Sequence, residues 1–390
     1  MQTALILGAV SIGVAVLVFL SALIGGLQED LIAKTLGSQA HIVIRPPAEE
    51  ARIVAVAAPG EVLAAHLEKP SQHVQSIQQW QPIVDEVGRI PGVVATTPEV
   101  LGAAFVLRGA VTQAVAVRGI EPASFNRIIP IARKLKAGRY PIAGADALVG
   151  VQLAADLGIG VGDKVRVQSG QGRAEVFTVA GVFDLGQKDA NLRWLLVPLR
   201  AAQTLFDLPG SVSSIEVKVA DVFAAERLAA GIHGRTGLVA ESWMESNQQL
   251  LVGLRAQSSS KNVILFFVTI TVALGIASVL IVSVVQKSRE IGVLRAVGTQ
   301  SSMISRIFLI QGGLVGFFGS VLGALLGVGL SRLFAAMQAN PDGSPMFPAT
   351  VDPGLFFGAI ALATLVGLLA AVTPARRASR LEPAQVIRYG

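Results

Sequence analysis

Four long apolar runs constrain this chain more than any other feature of its 390 residues. A helix rises about 1.5 Å per residue, so about 20 apolar residues cross a hydrocarbon core of about 30 Å. Charged residues make up only 15% of the chain, against about 25% in soluble domains. We therefore predict a membrane protein with four transmembrane α-helices, over 1–27, 262–286, 307–334 and 355–372.

The first run is interpreted as a retained span. Its apolar stretch is longer than the roughly 7–15 residues of a signal-peptide core, and no basic region precedes it. Because almost nothing lies on its inner side, we expect the native chain to begin upstream of Met1.

Basic residues in the short loops predict the orientation. The connector 287–306 has four basic side chains against Glu290 alone, and the tail 373–390 has four arginines against Glu382 alone. Short basic loops stay in the cytoplasm. We therefore expect both termini in the cytoplasm of a multipass inner-membrane protein, with the short loop 335–354 and the large segment 28–261 outside.

The net charge of +6 follows from this arrangement. Acidic and basic residues nearly balance within 28–261, so the basic excess lies in the cytoplasmic segments. That distribution favours contact with membrane lipids and gives no support for nucleic-acid binding.

The segment 28–261 is long enough to fold as an extracytoplasmic (periplasmic) α+β domain, and it has no cysteine for a disulfide. A Pro- and Ala-rich stretch over 46–70 is predicted to be a mobile arm. After Gly253 no glycine or proline interrupts the approach to the second span, which favours one continuous helix. Alternating strands are predicted at 115–117, 164–168, 175–179 and 215–219, and a short helix at 151–157.

No catalytic, cofactor or metal site is visible. The glycines at 158, 160 and 162 lack the lysine of a phosphate loop and are interpreted as a turn. The sequence also nominates no buried pair of carboxylates. Metal-ligand spacing is missing among the four histidines, which are His41, His66, His73 and His233.

The third span carries small residues at helical spacing. Such a stripe allows another helix to approach closely, and packing within the chain and dimerisation are equally favoured. The absence of ionisable residues in the apolar runs argues against an ion-coupled transporter. The stripe consists of Gly312, Gly316, Gly319, Gly323 and Gly327.

The connector contains a short amphipathic helix. Its apolar residues Ile291, Leu294 and Val297 recur every three positions, and Gly298 suits a left-handed helix end. A helix this short is marginal alone. It is therefore predicted to pack on another protein or to lie on the membrane surface.

The connector sequence REIGVLRAVG at 289–298 and the tail sequence TPARRASRLEP at 373–383 resemble the FtsX-like/MacB-like permeases of ABC transporters. The order of one span, a large outer domain and three more spans also resembles these permeases, and the stretch 148–181 resembles their periplasmic core. The resemblance implies that 289–298 is a coupling helix seated in a separate ATPase subunit, which binds ATP and Mg²⁺ and works with a pair of permeases. Its implied docking residues are Arg289, Glu290, Ile291, Leu294, Arg295 and Gly298.

Within that family, 20–44 looks most like the lipoprotein-releasing LolC/LolE type, although the family's basic segment before the first span is missing. This implies a non-catalytic permease subunit that couples ATP hydrolysis to movement of the outer domain and releases lipoprotein or other hydrophobic cargo. A periplasmic chaperone or adaptor would be a further partner. The alternatives are a MacB-like efflux permease for small molecules or peptides, an FtsX-like regulator of a cell-wall hydrolase, and a membrane sensor without an ATPase.

Overall fold

The computed structural model describes residues 2–47, 75–109, 111–337 and 351–380. The chain divides into two compact units. The helical unit comprises Met1–Ile32 and Gln249–Gly390, and the sheet unit comprises Ala33–Gln248.

The helical unit is built from long apolar helices with one short helix between them. Four of these helices are long and apolar enough to cross a membrane. The elements are α1 (Gln2–Leu36), α9 (Gln248–Gln286), α10 (Ser288–Ala296), α11 (Ser301–Met337) and α12 (Pro353–Ser379).

The sheet unit alternates strands with short helices, as the mixture of period-2 and helical segments predicts. Two 3-10 helices, Ile131–Lys134 and Val222–Ala224, join them. The strands are β1 (Ile42–Arg45), β2 (Val93–Arg108), β3 (Val111–Ile120), β4 (Leu135–Gly138), β5 (Asp146–Gly150), β6 (Lys164–Ser169), β7 (Ala174–Phe183), β8 (Trp194–Pro198), β9 (Ser214–Val219) and β10 (Val239–Ser242). The helices are α2 (Trp80–Gly88), α3 (Pro122–Ile128), α4 (Val151–Leu157), α5 (Lys188–Arg193), α6 (Leu199–Leu205), α7 (Ala225–Thr236) and α8 (Trp243–Ser246).

The ten strands form one mixed sheet in the order β10-β1-β9-β2-β3-β8-β5-β7-β4, and β6 pairs with both β2 and β7. The long strand β2 joins the two halves, since it pairs with β9 along its first part and with β3 and β6 along its second. Strands β3 and β8 are parallel, as are β5 and β7. The remaining pairs are antiparallel.

Helices cover both faces of the sheet near its centre. Successive side chains of a strand point to opposite faces. Phe125 of α3 lies beside Arg118 on one face. On the other face, Ala202 of α6 fills the space beside Gly119, where a side chain would collide with it. Helices α3 and α6 therefore lie on opposite faces, and a hydrophobic core forms on the α3 side around Phe125, Ile128 and Leu148.

The predicted fold class is confirmed: four candidate spans and a large α+β domain after the first. The predicted helix 151–157 is α4, and the predicted alternating strands lie within β3, β6, β7 and β9. Gly158 ends α4 in the left-handed conformation, so its glycine-rich run forms a turn. All but the first two residues of the predicted arm at 46–70 and most of the loop at 335–354 lie outside the described residues, as does the end of the tail.

The span helices extend past the predicted apolar runs, because hydropathy marks the apolar stretch and a helix continues through polar residues that favour it. The amide Nε2 of Gln28 on α1 donates to the Leu254 carbonyl oxygen at 3.2 Å and to the Ser258 hydroxyl at 3.0 Å on α9. Helix α9 runs unbroken through 257–260, as the absence of breakers predicts. It begins at Gln248, after the capping box of Ser242 and Glu245 starts α8.

Candidate functional site

The short helix α10 is anchored by one apolar side chain. Ile291 is 6% exposed and packs in a cluster with Val284 of α9, Phe308 of α11 and Ala375 of α12. Gly298 has a φ of +103°, and the backbone N–H of Thr299 donates to the Leu294 carbonyl at 3.1 Å. The glycine therefore ends α10 and turns the chain into α11, as its sequence position indicates.

The predicted apolar face of α10 is divided. Leu294 is 51% exposed and Val297 is 83% exposed, whereas Ile291 is buried. Successive residues of a helix are rotated by about 100° around its axis, so Val297, six residues after Ile291, lies about 240° around the axis from it. Ile291 and Val297 therefore lie on different sides of α10. Leu294, Val297 and the half-exposed Val293 instead form an outward apolar surface beside Glu290, here called the α10 surface.

Lys287, Arg289 and Glu290 are exposed around the start of this helix, whereas Arg295 is half-buried. Glu290 lies 4.0 Å from the Nζ of Lys287 in an exposed pair. Arg289 lies in the first turn of α10, and Arg295 lies in its last turn. Of the six predicted docking residues, Ile291 and Gly298 hold the helix in place, and Leu294 and Glu290 lie on its outer side.

The glycine stripe of α11 packs inside the chain along its whole length. Gly312 and Gly316 face α12, where a β-carbon on Gly316 would stand 2.9 Å from the carbonyl oxygen of Ala363. Gly319, Gly323 and Gly327 face α1, and a β-carbon on Gly323 would stand 2.5 Å from the Ser11 carbonyl oxygen. All five are buried. We call these contacts the glycine seam, in which all five glycines pack against helices of the same chain.

An apolar groove lies between α1 and α9. Its volume is about 670 Å³, and Ile12 and Phe267 on its walls are 64% and 61% exposed. In the most apolar window of α9 only 11% of residues are buried, against 44% in that of α11. Gly275 of α9 widens the groove because it carries no side chain, whereas Gly13 of α1 lets the helices approach, since a β-carbon there would collide with Val272 of α9.

The sheet unit contains a buried cluster of three ionisable side chains, here called the charge cluster. The guanidinium of Arg118 on β3 donates to both carboxylate oxygens of Glu99 on β2, with Nη2 at 2.9 Å from Oε2, and also to Oε1 of Glu216 on β9. All three side chains are at most 7% exposed. The guanidinium carbon lies 4.1 Å from the ring centre of Trp194. This charge cluster joins the strands that meet at β2.

The charge cluster corrects the expectation that no carboxylate pair is buried. One cation faces two carboxylates, and burial raises the pKa of Glu216 to about 8. Its second oxygen, Oε2, has no hydrogen-bond partner among the described residues. The signal in the sequence was the presence of charged residues inside two apolar strands, Arg118 in VAVRGI and Glu216 beside Lys218 in SIEVKV, at positions that alternation alone assigned to solvent.

Two family models match the chain and together cover both units. The model of the MacB-like periplasmic core domain matches residues 3–234, and the model of the FtsX-like permease C-terminal matches residues 262–383. The first match alone covers more than half of the sequence. The chain belongs to the FtsX-like, MacB-like family of ABC transporter permeases.

Curated relatives agree with this family. The lipoprotein-releasing system transmembrane protein LolC of Neisseria meningitidis serogroup B is 27% identical over 80% of this chain and 81% of its own length. LolC of Xylella fastidiosa is 26% identical over 97% and 92%. The crystal structure of the periplasmic region of MacB from Actinobacillus actinomycetemcomitans covers 56% of this chain and 95% of that one, at 14% identity and a TM-score of 0.38.

Membership in the permease family identifies the helical unit as that of a multipass inner-membrane protein and the sheet unit as a periplasmic domain. Relatives of this kind are the membrane subunits of ABC transporters, which work with an ATPase subunit. Among the described residues, no three or more His, Asp or Glu side chains are grouped so as to hold a metal ion. Three features remain as candidate functional sites: the α10 surface, the groove between α1 and α9, and the charge cluster.

Proposed function

We propose that this permease is a mechanotransmission subunit of an ABC exporter that releases lipoprotein or another hydrophobic cargo from the outer leaflet. ATP and Mg²⁺ bind to a separate ATPase subunit, and this chain contributes motion and a cargo surface. It pairs with a second permease, identical or related, and a periplasmic chaperone or adaptor receives the cargo. Both termini and α10 lie in the cytoplasm.

The observation that carries this proposal is the continuity of α9. This single helix of 39 residues is separated by one residue from α8 of the sheet unit at its start and by one residue from α10 at its end. A hydrogen-bonded helix resists bending unless proline, glycine pairs or a bulge interrupts it. Displacement at the cytoplasmic end of α9 is therefore available at its periplasmic end.

The α10 surface supports docking to the ATPase subunit. Ile291 fixes the helix to α9, α11 and α12, so a force on α10 acts on three spans. Leu294, Val293 and Val297 remain exposed as an apolar patch flanked by charges. An apolar centre with a charged rim is the usual anatomy of a protein interface.

The groove between α1 and α9 supports a hydrophobic cargo. Its volume of about 670 Å³ lies within the range of about 300–1,000 Å³ for small-ligand sites. Its walls are aliphatic and aromatic, which suits acyl chains and gives little for a polar solute to bind. The relatives named LolC are parts of a lipoprotein-releasing system, which agrees with this class of cargo.

The docking role is tested by reconstituting the permease with its ATPase partner in lipid nanodiscs. Leu294→Asp or Glu290→Lys is expected to uncouple ATP hydrolysis from cargo release and leave membrane insertion intact, whereas Leu294→Met retains the apolar contact and the coupling. Ile291→Asp is the contrasting variant and is expected to destabilise the helical unit itself. Wild-type coupling in both Leu294→Asp and Glu290→Lys would exclude α10 as the docking helix.

The cargo is tested separately by filling the groove. A β-carbon on Gly275 meets nothing within 4 Å, so Gly275→Phe is expected to fold while its ring occupies the groove. Release of a fluorescent lipoprotein from proteoliposomes should fall about tenfold, while ATPase activity remains. Gly329→Phe, which also meets nothing and lies outside the groove, is the matched control. Normal release by Gly275→Phe would favour the small-molecule exporter or the hydrolase regulator.

A further inference from the structure

A second cavity opens on the sheet unit, at the carboxyl ends of two neighbouring strands. It has a volume of about 690 Å³. Strands β3 and β8 run parallel, with Ile120 beside Pro198 at their last paired positions. Both residues line the cavity, together with the first residues of the helices that follow, Pro122 of α3 and Leu199 of α6.

This cavity lies where the chain leaves the sheet in two opposite directions. The connection after β3 leads to α3 on the face that holds Phe125 and Arg118. The connection after β8 leads to α6 on the other face, against Gly119. Neighbouring parallel strands whose connections diverge in this way leave a crevice at their carboxyl ends, and open α/β sheets bind ligands there. We call this cavity the switch-point crevice.

The crevice has an apolar floor and a fixed aromatic wall. Ile120 is fully buried beneath it, and Pro198 and Leu199 are half-buried. The indole Nε1 of Trp80 donates to the Gly210 carbonyl at 3.2 Å, which satisfies its polar atom and holds the ring in place. Trp80 therefore presents only its ring to a ligand, as a surface for an apolar side chain.

Two opposite charges line the crevice without pairing. Glu121 follows the last residue of β3, and Arg200 lies two residues after the last residue of β8. Both are exposed, and neither forms an ion pair with any residue that the structure describes. Glu121 accepts a hydrogen bond from the Ser124 hydroxyl at 2.7 Å through Oε2, which orients its carboxylate.

Two amide side chains complete the lining. Gln203 lines the crevice and donates from Nε2 to the Ser211 carbonyl at 2.9 Å, which leaves its amide oxygen available as an acceptor. Gln81 is exposed on the opposite wall beside Trp80. Amides are suited to hydrogen bonding with peptide groups, since each offers a donor and an acceptor.

We propose that the switch-point crevice binds a short peptide with free termini and apolar side chains. Its terminal carboxylate would pair with Arg200, its terminal ammonium with Glu121, its peptide groups with Gln81 and Gln203, and a side chain with the ring of Trp80. A single cation or anion would satisfy only one of the two charges. The volume exceeds what one amino acid needs and fits two or three residues.

The test uses the full-length permease in lipid nanodiscs and isothermal titration with leucyl-leucine as the probe. Its N-acetyl form lacks the ammonium, and its C-terminal amide lacks the carboxylate. Each modified form is expected to bind about tenfold more weakly, because it loses one charged group and leaves the facing side chain without its partner. Absence of binding by leucyl-leucine would overturn the proposal.

Two variants assign the ends of the peptide. Arg200→Gln should bind leucyl-leucine and its amide with equal affinity, because the partner of the carboxylate is gone. Glu121→Gln should lose the preference for the free ammonium in the same way. Arg166→Gln and Glu175→Gln change exposed charges outside the crevice and should retain both preferences. Preferences that persist in Arg200→Gln and Glu121→Gln would show that the peptide binds elsewhere.

Discussion

The glycine seam and the charge cluster are two regions where this permease packs closely without large apolar side chains. In the seam, α11 approaches α1 and α12 because Gly312, Gly316, Gly319, Gly323 and Gly327 have no side chain to separate them. In the charge cluster, three long ionisable side chains fill the space between β9, β2, β3 and the helix α3. The seam lies in the helical unit and the cluster in the sheet unit.

The comparison shows that the two regions are limited by different quantities. A span surrounded by lipid gains little from the hydrophobic effect, so its helices associate through close van der Waals contact and tolerate no added volume. A domain in water can bury a charge if the charge is paired, and it then tolerates no loss of a partner. Added volume should therefore damage the seam, and removed charge should damage the cluster.

Removal of Arg118 is expected to have the largest effect. Arg118→Leu leaves the Glu99 carboxylate buried beside Glu216 without its cation, which costs about 3–5 kcal/mol of unfolding free energy. The measurement is thermal unfolding followed by tryptophan fluorescence. All three tryptophans, Trp80, Trp194 and Trp243, lie in the sheet unit, so the signal reports that unit alone.

A triple variant separates charge from shape at the same position. Glu99→Met, Arg118→Leu and Glu216→Leu together replace all three charges with apolar side chains of similar size, and such replacements are often neutral or stabilising. The triple variant is therefore expected to be more stable than Arg118→Leu alone. Equal loss in both would mean that the fit of the arginine side chain, and not its charge, stabilises the sheet.

Added volume in the seam should give the next largest effect. Gly323→Leu places a β-carbon 2.5 Å from the Ser11 carbonyl oxygen, and overpacking of this kind costs about 1–3 kcal/mol. Loss of helical circular dichroism on heating in detergent measures it. Gly329→Leu is the matched control on the same helix, since a β-carbon there meets nothing within 4 Å. Similar losses in the two variants would contradict the seam.

The sequence predicts the glycine seam better than the charge cluster. Helical spacing identified the five glycines of the seam, because a stripe on one helix is a local pattern. It left their partner open, since α1 precedes α11 by about 300 residues. The charge cluster was missed because Glu99, Arg118 and Glu216 come from three strands, and only the pairing of β2 with β3 and β9 brings them together.

The groups on α10 show a further limit of local reasoning. Apolar residues three apart indicated one face, but Ile291 faces the bundle and Val297 faces away. Three residues rotate around a helix axis by about 300°, which is about 60° short of a full turn. Over the two such steps from Ile291 to Val297 the difference grows to about 120°. The switch-point crevice had no sequence signal, since it depends on which faces α3 and α6 cover.

The change of the sheet unit's unfolding free energy with pH should be smaller than the effect of Gly323→Leu. The folded unit holds a proton on Glu216 that the unfolded chain releases, because burial raises the pKa of this carboxyl to about 8. The resulting stability is complete below the ordinary glutamate pKa and is lost as the pH rises through about 8, by at most about 1.4 kcal/mol per pH unit.

The unfolding temperature measured from about pH 7 to 8.5 tests this dependence. Burial lowers the pKa of His41, whose contribution rises with pH only up to its ordinary value near 6.5 and is complete in this range. The wild-type midpoint should decline with pH, and that of Glu216→Gln should stay flatter. Parallel profiles would assign the decline to another group.

The smallest effect is expected from a side-chain hydrogen bond that links α1 to the seam. The Ser11 hydroxyl donates to the Gly319 carbonyl at 3.0 Å, and hydrogen bonds between membrane helices average about 0.6 kcal/mol. Ser11→Ala keeps the helix contact and removes only this bond, so the melting of the helical unit should shift slightly. Ser11→Leu should instead behave like Gly323→Leu, because volume is what the seam excludes. If Ser11→Ala were the more damaging of the two, hydrogen bonding rather than close packing would hold α1 against α11.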